Sequence, residues 1–133
     1  MASSSRVAYL DSSALVKLIV IEAETAALRD ELRRWPDRAS SALATIEVTR
    51  TARRLGGHAP AAATQVLTGL TLLAIDPIVP AASQIGGTTL RSLDAIHLAT
   101  ARSIWRELGA LITYDQRMIS EGNAVGLPVL SPT

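Results

Sequence analysis

The sequence predicts an α/β fold, with a central parallel sheet of about four or five short strands and helices on both faces. Short apolar runs alternate along the chain with longer segments in which apolar residues recur at helical spacing. This alternation is typical of parallel sheets, whose strands are joined by crossover helices and buried on both faces. Neither an internal repeat nor a linker interrupts the pattern, so we expect residues 1–133 to form a single domain.

The first elements follow from an apolar run that ends in an acid. Residues 6–10 are interpreted as the first strand, and Asp11 comes directly after it. Ser12 or Ser13 is expected to cap the helix that starts there, because serine is a favoured N-cap residue. A second helix is predicted over residues 22–34, and it ends before a proline.

The middle of the chain is expected to add one strand and two helices. Residues 39–42 are interpreted as a short strand, and residues 43–55 as a helix that a pair of glycines ends. Residues 59–68 form the next predicted helix. It carries a proline in its first turn, where the missing N–H removes no hydrogen bond.

The C-terminal half continues the alternation of strands and helices. Residues 71–75 are almost entirely apolar, so we predict a buried strand there. The clearest helical period begins at Ser92 or Leu93 and continues to Gly109. The other predicted elements are a short helix at 80–85, a strand at 110–113, a helix that Asp115 opens and Gly122 ends, and a strand at 128–130.

Composition argues against several classes of function. Aromatic residues make up only 3% of the chain, which disfavours binding of single-stranded nucleic acid by base stacking. Cysteine is absent, so there is no disulfide framework, thiolate metal site or cysteine nucleophile. The formal net charge is +1, so any attraction to nucleic acid has to come from a local basic surface.

No targeting or membrane segment is expected. Residues 1–5 are small and polar and are interpreted as a frayed end. The apolar run at 15–21 carries Lys17 and is far shorter than the roughly 20 residues that a spanning helix needs. We therefore expect a cytoplasmic protein that does not associate with membranes.

Four acids lie at positions from which they could reach the ligand-binding edge of such a sheet. Asp11 and Asp115 each follow a predicted strand, and Asp94 lies in the first turn of the long helix. In a parallel sheet with right-handed crossovers, such junctions meet at one edge, where ligands bind. Glu47 lies one turn into the helix at 43–55, so it could reach the same edge.

Converging carboxylates repel one another, and a divalent cation removes that conflict. Oxygen ligands favour magnesium or manganese, because the chain has no cysteine and only His58 and His97 as nitrogen donors. Simpler explanations stay open for each acid taken alone. Asp94 and Asp115 could merely complement helix dipoles, and Glu47 could pair with an arginine.

Four segments of the chain resemble the successive motifs of PIN-domain ribonucleases. They are residues 9–18, 45–48, 93–101 and 112–117, and they are most similar to the VapC toxins of bacterial toxin–antitoxin pairs. The resemblance covers nearly the whole chain in order, although residues 56–87 carry no motif. It implies a single PIN-like domain with magnesium- or manganese-dependent endoribonuclease activity, neutralised by a small VapB-type antitoxin and usually dimeric.

The resemblance also implies roles for individual residues. Asp11 and Asp94 match the most regular metal-binding acids of the family, and Glu47 and Asp115 match the other two, which act directly or through water. Two further positions often carry a hydroxyl beside the metal site in this family, and here they are Ser12 and Thr113.

Two further side chains are candidates for accessory roles. His97 lies three residues after Asp94, where it could contact RNA, shuttle a proton, or be a structural histidine packed near the site. Arg50 shares a helix side with Glu47 and could neutralise it or bind a phosphate. Arg53 and Arg54 are interpreted as part of a solvated face.

Other phosphoryl-transfer classes fit the sequence less well. A haloacid-dehalogenase-like phosphatase would need a second aspartate where Ser13 stands, and a receiver domain would need a late lysine, whereas Lys17 is the only lysine. A non-catalytic PIN-like module usually loses one or more acids, and this chain keeps all four. The favoured hypothesis is hydrolysis of RNA phosphodiesters by metal-activated water, with a non-toxin PIN-like hydrolase or an inactive PIN-like module as alternatives.

Overall fold

The computed structural model describes residues 6–133, so the predicted frayed end at residues 1–5 lies outside the described residues. A five-stranded sheet forms the centre of the molecule, with the strand order β3-β2-β1-β4-β5 and only parallel pairings. The strands are β1 (Val7–Leu10), β2 (Asp37–Ser41), β3 (Thr71–Leu73), β4 (Leu108–Ile112) and β5 (Val129–Leu130). The predicted α/β class and the parallel sheet are confirmed.

Helices connect the strands within the described range. They are α1 (Ser12–Val16), α2 (Thr25–Leu32), α3 (Leu43–Leu55), α4 (Ala59–Thr68), α5 (Val79–Ala82), α6 (Ser92–Ser103) and α7 (Gln116–Ala124), with a 3-10 turn at Asp76–Ile78. The bounds of α3 and α4 agree with the sequence prediction. None of the helices among residues 6–133 has the length and apolar character needed to cross a bilayer.

Both faces of the sheet are covered, and β1 shows how the sequence achieves this. Ala8 and Leu10 belong to an apolar cluster with Leu15 and Val48 of α1 and α3. Tyr9 points to the opposite face and belongs to the cluster of α6 and α7, which includes Leu98. Alternate side chains of a strand point to opposite faces, so a central strand with helices on both sides is apolar throughout.

The prediction that the long helix reaches Gly109 is wrong. Helix α6 ends at Ser103, and Leu108 already begins β4, where it pairs with Val7 of β1. Sheet pairing overrides the helical period of the local sequence. Helix α2 is likewise shorter than the predicted 22–34, and α5 is displaced from 80–85 by the 3-10 turn before it.

Two further predictions are corrected by packing. The buried strand at 71–75 is the short edge strand β3, in which Thr71 and Leu72 are exposed, because β3 lies at one end of the strand order. Gly122 does not end α7 but is buried within it. A Cβ there would lie 2.7 Å from Cγ2 of Val129, so glycine allows α7 to approach β5 closely.

Candidate functional site

Asp11 and Asp115 lie at a topological switch point of the sheet. The chain builds outward from β1 through β2 to β3, and then returns to place β4 on the other side of β1. In open α/β sheets, ligands bind in the crevice that this reversal creates at the carboxyl ends of the strands. Asp11 follows β1 and Asp115 lies just beyond β4, so the two acids flank the crevice.

Asp11 is held by a set of hydrogen bonds at the end of β1. Its side chain is 3% exposed, and Oδ1 accepts from the Ala14 N–H at 3.1 Å and from the Ser13 hydroxyl at 2.6 Å. Oδ2 accepts from the Thr113 hydroxyl at 2.5 Å. Asp11 itself therefore caps α1, because its side chain accepts from the Ala14 N–H while Ser12 and Ser13 already lie within the helix. The expectation of a serine cap is wrong.

Two hydroxyls join the ends of β1 and β4. Ser13 Oγ accepts from the Tyr114 N–H at 2.9 Å, and Thr113 Oγ1 accepts from the Asp115 N–H at 3.2 Å. Both hydroxyls also donate to Asp11, and they lie 3.3 Å from each other. Sequence reasoning found Thr113 but named Ser12 and missed Ser13, whose position two residues after a capping aspartate was the available signal.

The pKa shifts reflect the cost of these buried charges. Burial raises the pKa of Asp11, and the hydroxyls of Ser13 and Thr113 partly offset this effect. Burial also raises the pKa of Asp94, and repulsion from Asp115 and then from Asp11 adds to it. The charge of Asp94 is therefore close enough to Asp115 and Asp11 to be repelled by both.

Asp94 and Asp115 differ in how the chain engages them. Asp115 caps α7, since its Oδ1 accepts from the Met118 N–H at 3.0 Å. Among residues 6–133, no hydrogen bond or ion pair reaches the half-buried carboxylate of Asp94. Asp94 therefore has no direct hydrogen-bond or ion-pair partner within this range, although attraction from His97 and then from Arg91 opposes the rise in its pKa.

Glu47 reaches the same edge from α3. Its Oε1 lies 2.7 Å from Nε2 of His97, and its Oε2 accepts from the Ser12 hydroxyl at a longer 3.5 Å. The His97 side chain is 1% exposed, so it does not contact an RNA directly. It is instead a bridge between Glu47 and the interior of the protein.

A groove of about 610 Å³ runs along α3 beside Glu47. Its lining includes Ser12, Glu47, Arg50 and Arg54. Arg50 is exposed and forms no ion pair within the described residues, so the expected alternative in which it neutralises Glu47 is not formed. Its guanidinium stays available for a phosphate, which arginine binds through paired N–H donors.

The donor set suits a hard divalent cation. It consists of carboxylate and hydroxyl oxygens, and the Nε2 atom of His97 is already bonded to Glu47. Among residues 6–133, no three acids or histidines are close enough together to hold an ion by their side chains alone. Magnesium is commonly bound through one or two carboxylates and keeps several of its waters, so this arrangement fits it.

Comparisons with known proteins place the chain in a family. The model of the PIN domain matches residues 8–121, so the chain belongs to the PIN-domain family. This confirms the resemblance found in the sequence. PIN-domain ribonucleases of the VapC type generally depend on divalent metal ions.

Within that family, the chain is similar to several ribonucleases of Mycobacterium tuberculosis. It is 45% identical over 126 residues to Ribonuclease VapC46 of strain ATCC 25618 / H37Rv, with 94% of this chain and 97% of that protein covered. It is 43% identical to Ribonuclease VapC47 of strain CDC 1551 / Oshkosh, with 93% and 96% covered. A solved toxin–antitoxin complex from Klebsiella pneumoniae matches with a TM-score of 0.70 and 25% identity, over 95% of this chain and 98% of that one.

Proposed function

We propose that this protein is a magnesium-dependent endoribonuclease and the toxin component of a type II toxin–antitoxin system. The observation that carries the proposal is the position of Asp11 and Asp115 after neighbouring strands at the switch point, together with Asp94, whose pKa is raised by burial and then by repulsion from Asp115 and Asp11. The names of the similar ribonucleases and of the toxin–antitoxin complex support the same activity. In this proposal, residues 1–133 form a single PIN-like domain that carries the nuclease activity.

Asp11 and Asp94 would hold the ion, which is magnesium with manganese as a possible substitute. Glu47 and Asp115 complete the negative charge, directly or through water. When bound, such an ion orients a phosphodiester, makes water a better nucleophile and stabilises the leaving oxygen. The reaction is hydrolysis, in which water adds to phosphorus and the bridging P–O bond breaks.

The chain's own residues prepare this site in three ways. The hydroxyls of Ser13 and Thr113 fix the Asp11 carboxylate, so its oxygens do not need to be ordered when the ion binds. Ser12 lies between Asp11 and Glu47 and lines the groove. Arg50 and Arg54 lie along the same groove, where they can bind the phosphates of an RNA strand.

The proposal includes a VapB-type antitoxin as partner, RNA as substrate, a homodimer and a cytoplasmic location. Two exposed apolar side chains lie beside the acids, since Ile46 is 57% and Leu93 is 50% exposed. Both line the groove that contains Glu47. They give a protein partner an apolar contact close to the acids, so one partner could cover the groove and block the site.

Cleavage mapping on total RNA tests the proposal. The purified protein should cut RNA at defined positions with magnesium, and both EDTA and Asp11→Asn should abolish these cuts. Circular dichroism should show that the Asp11→Asn variant is folded. If the folded wild-type protein cuts no RNA with either magnesium or manganese, the non-catalytic PIN-like module replaces the nuclease. If Asp11→Asn cuts at the wild-type rate, the site assignment is wrong.

A further inference from the structure

A buried chain of three side chains links the interior of the protein to the acidic edge. The phenol oxygen of Tyr9 lies 2.7 Å from Nδ1 of His97, and Nε2 of His97 lies 2.7 Å from Oε1 of Glu47. The three residues come from β1, α6 and α3, and 88 positions separate Tyr9 from His97 along the chain. These two hydrogen bonds therefore form only when the sheet and the helices on both of its faces have assembled.

The donor and acceptor roles in this chain follow from its chemistry. An ionised carboxylate can only accept hydrogen bonds, so Nε2 of His97 carries the proton and donates to Glu47. Burial raises the pKa of Tyr9, so its phenol keeps its proton and can donate to Nδ1 of His97. The Tyr9 and His97 rings also meet edge to face, with centroids 5.8 Å apart at 73°.

The surroundings keep both rings in place. Tyr9 is fully buried and His97 is 1% exposed, whereas Glu47 is 19% exposed and lies at the rim. Within the described residues, no buried polar side-chain atom lacks a hydrogen-bond partner. Tyr9 and His97 are therefore fixed in the core, and Glu47 lies at the acidic edge.

We propose that Tyr9 and His97 are positioning residues that hold the Glu47 carboxylate at the acidic edge. A glutamate on a helix surface has several rotatable bonds, and ordering it during each catalytic cycle would cost side-chain entropy. The bond from His97 engages Oε1 and leaves Oε2 directed toward Ser12. Partners of this kind commonly orient the groups that act on a substrate or metal. The catalytic part of this proposal rests on the proposed nuclease function, whereas the positioning is a property of the metal-free protein.

Nuclear magnetic resonance tests the positioning without RNA or metal. The chain has two histidines, and the exposed His58 serves as an internal reference for His97. In protein with ¹⁵N-labelled histidine, we expect an Nε2–H resonance of His97 that is protected from solvent exchange, and none for His58. Tyr9→Phe should speed this exchange about tenfold, on the scale of one lost hydrogen bond. Glu47→Gln should shift the same resonance.

Tyr114→Phe is the matched control for the first variant. This substitution also removes one hydrogen-bonded phenol hydroxyl, which donates to the Pro132 carbonyl at 2.8 Å. Tyr114 makes no hydrogen bond to His97 or Glu47 among the described residues. The His97 resonance should not change in this control. If Tyr9→Phe also leaves the exchange of His97 unchanged, the proposal is overturned. Glu47→Gln, which keeps both Tyr9 and His97, provides a second variant should Tyr9→Phe fail to fold, and an unchanged His97 resonance in that variant would also overturn the proposal.

Cleavage kinetics then separate positioning from a structural role. Tyr9→Phe should lower kcat about tenfold and leave KM unchanged, since loss of an orienting partner typically costs roughly 10–100-fold. In a Glu47→Gln background, the same substitution should lower kcat no further. An equal loss of kcat in both backgrounds would show a general structural effect and overturn the proposal. If the wild-type protein does not cleave RNA, the nuclease function fails, and the resonance experiment still decides the positioning.

Discussion

Asp11 and Asp94 carry the same charge at the same edge of the sheet, yet the protein supports them differently. Asp11 is 3% exposed and accepts hydrogen bonds from Ala14, Ser13 and Thr113. Asp94 has no hydrogen-bond donor among residues 6–133, and it faces Asp11 and Asp115. Asp11 is held both by residues of α1 and by Thr113 beyond β4, whereas no hydrogen bond or ion pair among residues 6–133 engages the carboxylate of Asp94.

The largest expected effect is the loss of catalysis when the Asp94 carboxylate is removed. Asp94→Asn should lower the rate of magnesium-dependent RNA cleavage by roughly 1000-fold, because it removes several kcal/mol of charge stabilisation. Single-turnover cleavage of a defined RNA, with the wild-type protein as control, measures this. Asp76→Asn, which changes an exposed aspartate in a turn, should cleave at the wild-type rate. A similar loss in both variants would contradict a special role for Asp94.

The next effect concerns the support of Asp11. Thr113→Val keeps the shape of the side chain but removes the donor to Asp11 and the acceptor for the Asp115 N–H. We expect the free energy of unfolding to fall by about 1–3 kcal/mol, because buried polar groups lose their partners. Urea unfolding measures this change. Thr64→Val on the exposed face of α4 is the matched control, and a fall of the same size there would argue against the Asp11 network.

Asp94→Asn should have the opposite effect on stability in the absence of metal. The substitution removes repulsion from Asp115 and Asp11, so the metal-free variant should be more stable by about 1 kcal/mol or less, because Asp94 is partly solvated. Thermal unfolding in EDTA measures this gain. Magnesium should then stabilise the wild-type protein more than the variant, by mass action. A variant that is clearly less stable without metal would instead indicate a structural role for Asp94.

The stability of the metal-free wild-type protein should depend on pH differently from that of Asp94→Asn. The pKa of Asp94 and that of Asp11 are raised above the ordinary value of 3.8, so the folded state binds more protons than the unfolded state just above that value. Their contribution to stability is complete below the ordinary pKa and is lost as pH rises through the raised pKa. The Tm of the metal-free wild-type protein should therefore rise relative to that of Asp94→Asn as the pH is lowered from neutral toward the ordinary pKa. Parallel pH profiles of the two proteins would contradict this.

Most of the fold can be predicted from local pattern, and the failures have a common cause. The bounds of α3 and α4 follow from helical spacing that ends in glycines or begins with proline. The helical prediction extends past the end of α6 because residues 104–107 continue the apolar period, whereas the pairing of Leu108 with Val7 requires a strand. The exposure of β3 depends on its place at the edge of the sheet, which no local pattern reveals.

The same division applies to the site. Asp11 and Asp115 can be found from the sequence because each follows a strand closely, and parallel strands end at the same edge of the sheet. The sequence does not single out Ser13 as a site residue and leaves several roles open for His97, because both roles depend on contacts between residues far apart in the chain. Sequence reasoning therefore locates the charges, while the hydrogen bonds that hold them become visible only in the folded structure.

Binding of manganese to the RNA-free protein tests the central claim most directly, since it does not depend on the choice of RNA. Electron paramagnetic resonance of free manganese counts the bound ions during a titration. We expect saturable binding by the wild-type protein, binding at least about tenfold weaker in Asp94→Asn, and competition by magnesium. Unchanged binding in a folded Asp94→Asn variant would contradict the account, because the Asp94 carboxylate would then not contribute to the ion site.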